Sequence, residues 1–146
     1  MNPLSFSAYS GSDLPDLLCE AVVRMGFSRE DLGRLESQTT LAVELQGAPD
    51  VMLSQQHDRL WIWSALPDVS EAGLFKMASQ ALSVLLEPVA DVEGGLLTLG
   101  RGDEGFELKG LVNLACLSRA SGLSDLLSDF RERLLAMCQA LELQGE

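Results

Sequence analysis

Residues 59 to 66, RLWIWSAL, restrict this chain more than any other stretch. A strand sends successive side chains to opposite faces, so Leu60 and Ile62 fall on one side, Trp61 and Trp63 on the other, and both sides are apolar. The pattern fits a central strand with cover on each face. The second cover is either another layer of the same molecule or a partner segment, and residue pattern alone leaves both open.

The neighbouring segments supply a sheet and helices. TTLAVELQG places Leu41, Val43 and Leu45 on one side, DVMLSQQ offers Val51 and Leu53, and Gly47, Pro49 and His57-Asp58 punctuate three short antiparallel strands. Upstream, SDLPDLLCEAVVRMG predicts a helix with Ser12 or Asp13 as cap and Pro15 in its first turn. Its stripe is Leu14, Leu17, Leu18, Ala21, Val22 and Met25, and Gly26 ends it. Pro67, Asp68 and Ser70 introduce a second helix, SEAGLFKMASQALSVLLE, whose stripe of Leu74, Met77, Ala78, Ala81, Leu82 and Leu85 runs until Pro88 stops it. GGLLTLGRGDEGFELKGLVN reads as a hairpin around a Gly-rich loop. From about Leu123 a last amphipathic helix buries Leu123, Leu127, Phe130, Leu134, Met137, Cys138 and Leu141 and exposes Asp125, Asp129, Arg131, Glu132 and Arg133. The expected fold is therefore α+β, in the order αβββαββα, with an antiparallel sheet packed with helices. Residues 1 to 12, rich in Ser and Gly, read as a flexible N-terminal arm ahead of one domain spanning residues 13 to 146.

Composition narrows the class. A chain of 146 residues can bury roughly 68 to 70% of the surface it exposes when unfolded, enough for a proper core. No apolar run approaches the roughly 18 residues of a membrane span, and the first residues lack the basic and apolar regions of a secretory signal, so a cytoplasmic address is expected. Ten basic against 22 acidic residues give a net charge of -12, which repels a phosphate backbone and argues against nucleic acid. The same excess favours basic or amphipathic clients.

Residues for catalysis are scarce. GRGDEG satisfies G-x-G-x-x-G at Gly100, Gly102 and Gly105, but a strand-like segment follows where a dinucleotide site needs a helix, and Asp103 and Glu104 would repel a pyrophosphate. The embedded Arg101-Gly102-Asp103 is read as chance. His57 is the only histidine and lies in a turn; Cys19, Cys116 and Cys138 are widely spaced among apolar neighbours and read as buried thiols. That set lacks the paired spacing of a zinc site, and the acidic pairs along the helices suit solvated faces. No enzyme, cofactor or metal is expected.

DRLWIWSAL, followed about thirty residues later by GGLLTLGRGDEGFELKGLV, resembles the small acidic class I chaperones of bacterial type III secretion, in the InvB/SpaK subgroup. The likeness runs from about Asp13 to the last helix, leaving the N-terminal arm as an extension. It implies a homodimer that binds the N-terminal region of secreted effectors, keeps it extended and delivers it to the secretion apparatus, with the secretion ATPase as a further partner. Capture would use apolar surface of the first helix and the sheet, partly by strand addition. This points to Leu14, Leu17, Leu18, Leu41, Val43, Leu45, Val51, Leu53, Trp61 and Trp63 as the effector-binding set. Residue pattern reads the second helix as core or seam alike; the resemblance implies a dimer seam of Leu74, Met77, Ala78, Ala81, Leu82 and Leu85, with Leu97 and Leu99 beside it. The alternative is a dimeric regulatory adaptor that sequesters a secretion regulator.

Overall fold

The computed structural model describes residues 14–26 and 40–141. The expected arm and the caps at Ser12 or Asp13 lie outside the described residues. Helix α1, Leu14–Arg24, buries Leu14, Leu18, Ala21 and Val22, the stripe its spacing predicts. It stops at Gly26, whose φ of +103° suits a residue without Cβ.

Three strands follow: β1 (Thr40–Val43), β2 (Val51–Gln56) and β3 (Arg59–Leu66). His57 and Asp58, both at positive φ, form the tight two-residue turn between β2 and β3. Beyond them the expected second helix is two helices, α2 (Glu71–Lys76) and α3 (Ala78–Leu85), because Met77 leaves the helical region at φ −104° and ψ 24°. Gly73, one turn earlier, weakens the helix leading to that break. Ser70 caps α2 by accepting the Gly73 N–H at 3.0 Å.

Strands β4 (Thr98–Gly102) and β5 (Gly105–Leu111) make the second hairpin, and the five strands lie antiparallel in the order β1-β2-β3-β5-β4. The fold is α+β, as the sequence implies. A 3-10 turn at Leu114–Ser118 leads into α4, Gly122–Ala140. A Cβ on Gly122 would stand 1.7 Å from the Cys116 carbonyl oxygen, so only glycine lets the helix start against this turn.

One face of the sheet carries the core. Leu53 of β2, Ile62 of β3 and Leu108 of β5 join Leu18 of α1 and Phe130 and Leu134 of α4 in one cluster, each completely or almost completely enclosed. Full enclosure of such side chains is worth roughly 1.5 to 3 kcal/mol apiece. Ser64 on the same face is satisfied by donating to the Asp50 carbonyl at 2.8 Å. Buried Asp91 is paired with Arg119 at 2.9 Å. At the far end Arg24 reaches the Leu117 carbonyl, tying α1 to the 3-10 turn.

Candidate protein-binding surfaces

Strand β3 alternates strictly between enclosed and half-buried residues. Leu60, Ile62, Ser64 and Leu66 face the helices, whereas Trp61, Trp63 and Ala65 face the other way. Among the described residues neither tryptophan belongs to the core cluster or packs against it. The described helices therefore cover one side of β3, and no described element covers the tryptophan side.

Register assembles the outer face. Trp61 stands between Ser54 of β2 and Leu111 of β5, and Trp63 between Met52 and Lys109. The Trp63 indole N–H donates to Ser54 Oγ at 2.9 Å, and Ser54 Oγ is also within 2.9 Å of Thr40 Oγ1 on β1. This chain fixes the plane of the Trp63 ring across three strands. Lys109 Nζ lies 5.6 Å from the centre of the Trp61 ring, a cation–π distance. Ser54, Gln56, Trp61, Trp63, Glu107 and Lys109 enclose a shallow groove of about 270 Å³. A smaller hollow of about 80 Å³ lies between Trp63, Ala65, Phe106 and the acidic Asp103, Glu104 and Glu107.

A second apolar surface lies on α2, α3 and the segment before β4. Phe75 is 63% exposed, Leu82 56%, Leu86 62% and Leu96 42%. These are the large apolar side chains that the protomer, among its described residues, leaves most exposed to solvent.

The expected site residues divide accordingly. Leu14, Leu18, Val51 and Leu53 are at most 1% exposed and belong to the core of the protomer. Leu17, Leu41, Val43 and Leu45 are half-buried against that core, while Trp61 and Trp63 stand on the open face. Of the expected seam, Leu74, Ala81 and Leu97 are enclosed within the protomer. Met77, Leu85 and Leu99 are half-buried, and Ala78 and Leu82 exposed. Sequence reasoning missed Phe75, Leu86 and Leu96, although Phe75, Leu82 and Leu86 recur at seven- and four-residue helical spacing. It also missed the polar rim of the tryptophan groove, which only strand register reveals.

Chemistry finds little purchase. Burial, and secondarily Asp91, raises the Cys116 thiol to about 11, and burial also raises that of Cys138, so both stay protonated near neutrality. His57 is exposed at its turn. Among the described residues no group of His, Cys, Asp and Glu is placed to hold a metal ion. No described helix is long and apolar enough to cross a membrane.

Comparison with known proteins agrees with this picture. The family model of the Invasion protein B family matches residues 26–103. Over 129 residues the chain is 28% identical to the Surface presentation of antigens protein SpaK of Salmonella typhimurium, covering 88% of this chain and 96% of that protein. SpaK of Salmonella typhi matches to the same extent. A chain of the heterodimeric ExoU-SpcU complex from the type III secretion system of Pseudomonas aeruginosa shares the fold, with a TM-score of 0.53 at 17% identity over 73% of this chain and 86% of that one. The class defined is a type III secretion chaperone. The chain belongs to the Invasion protein B family, the resemblance that DRLWIWSAL and the Gly-rich hairpin carry.

Proposed function

We propose that this protein works in the bacterial cytoplasm as a homodimer that binds the N-terminal region of one or more secreted effectors. It holds that region extended and hands it to the secretion apparatus, where the ATPase is the receiving component. The observation carrying this reading is the position of Trp61 and Trp63: half-buried aromatic side chains on a sheet face that no described element covers.

An extended client has two ways to engage such a sheet. It can lay apolar side chains on the tryptophan face, or add a strand at an edge of the described sheet, β1 or β4, where main-chain bonds accept any sequence and side-chain pockets select. Ordering a disordered segment costs about 2 to 5 kcal/mol or more, so contact over a large area is expected. The apolar surface at Phe75, Leu82, Leu86 and Leu96 suits the partner protomer. The work is stoichiometric binding without a cofactor.

The test is co-purification from a secreting bacterium, with mass spectrometry of what stays bound. A secreted protein retained through its N-terminal region is the expected result. A lone particle that carries no client under secreting conditions overturns the reading.

A further inference from the structure

The tryptophan face is electrically polarised. Lys109, the cross-strand neighbour of Trp63, leans its ammonium towards the Trp61 ring. On the side of Trp63 towards the β4–β5 turn, the indole shares a hollow with Asp103, Glu104 and Glu107, and among the described residues none of these three carboxylates is in an ion pair. Gly102 matters to this end: a Cβ there would fall 1.9 Å from Glu107 Oε2, so its absence lets the carboxylate lie down along the sheet.

We propose that the Trp63 end of this face is a pocket for a single basic side chain, Arg in preference to Lys, on an extended partner polypeptide, with the cation against the indole ring and its N–H groups on Glu107. The proposal rests on the reading of the protein as a client-binding chaperone and specifies the chemistry of that client. Ring and carboxylate act together, since an aromatic face attracts a cation and an adjacent uncompensated carboxylate accepts its hydrogen bonds. The indole N–H is already committed to Ser54, which leaves the ring face as the recognition element. Guanidinium fits better than ammonium because it stacks flat while presenting a fork of donors. Lys109, two residues along β5 from Glu107, repels a second cation, so a lone basic residue between uncharged ones fits better than a basic run.

Both tryptophans of the chain lie on this face, so intrinsic fluorescence reports on it directly. The probes are a short alternating Ser/Val peptide with one central Arg and the same peptide with Glu in its place, titrated against the full chain. The Arg peptide is expected to shift the emission and to bind about tenfold more tightly than the Glu peptide. Glu107→Lys should reverse the preference, with folding checked by circular dichroism. Glu132→Lys changes the net charge equally but sits on α4, which packs against the opposite sheet face, and should leave it unchanged. Equal binding of both peptides, no binding of either, or an equal effect of the two variants overturns the proposal. If the wild-type protein retains a secreted client while Glu107→Lys leaves the peptide preference unaltered, only this pocket fails. If no client is retained, the parent reading fails whatever the peptides do.

Discussion

Arg131 on α4 donates from Nε at 3.1 Å and from Nη2 at 2.8 Å to one oxygen, the Gln46 carbonyl in the turn between β1 and β2. A side chain expected on the solvated face of the last helix thus pins the edge of the sheet. Arg131→Ala is expected to cost about 1 kcal/mol in urea unfolding, with faster amide exchange along β1. Arg131→Lys should recover less than half of that, because an ammonium lacks the planar fork. Unchanged exchange at β1 would show that the edge holds without this contact.

The two faces of β3 should separate in mutagenesis. Ile62→Ala removes a fully enclosed side chain and should cost about 2 to 5 kcal/mol of folding stability. Trp61→Ala and Trp63→Ala, on the half-buried face, should cost clearly less while weakening client binding by about 2 kcal/mol. Thermal unfolding together with calorimetric titration of a client fragment would show both effects; a tryptophan variant as unstable as Ile62→Ala argues for an internal role.

For the proposed dimer seam, Leu82→Glu and Leu86→Glu place charge on side chains more than half exposed in the protomer. Sedimentation equilibrium should move towards monomer with the circular dichroism spectrum retained. A variant that stays dimeric removes α3 from the seam.

Cys116 predicts the alkaline limb of stability. Burial raises its folded value to about 11 from the ordinary 9.0, so the protonated thiol is favoured in the native state. The unfolded chain then releases its proton first, and the associated stability, complete below about pH 9, is lost as pH rises towards about 11. Cys138, raised by its own burial, adds an effect of the same sign. Cys116→Ala should flatten that limb in unfolding midpoints recorded across this range, and native Cys116 should resist alkylation at neutral pH until the protein unfolds.

Much of the fold was legible because its signals are local. The spacing of Leu14, Leu18, Ala21 and Val22 defines the buried face of α1, and His57-Asp58 marks its hairpin turn. The break at Met77 was not legible, since the apolar stripe continues through it and only backbone geometry records the change. For the candidate surfaces, alternation places Leu53 on one face of a strand without saying which face the helices take. That choice depends on Ile62 of β3 and Phe130 of α4, far apart in the chain, entering the same buried cluster. Glu107 and Lys109 joined the tryptophans only through cross-strand register, which no single segment encodes.

The described helices lie on a single flank of β3, and the interior there is closed by the chain's own side chains. On the function proposed above, cargo laid on the opposite flank adds a layer while the core residues keep their packing, so the carrier is expected to stay folded whether loaded or empty.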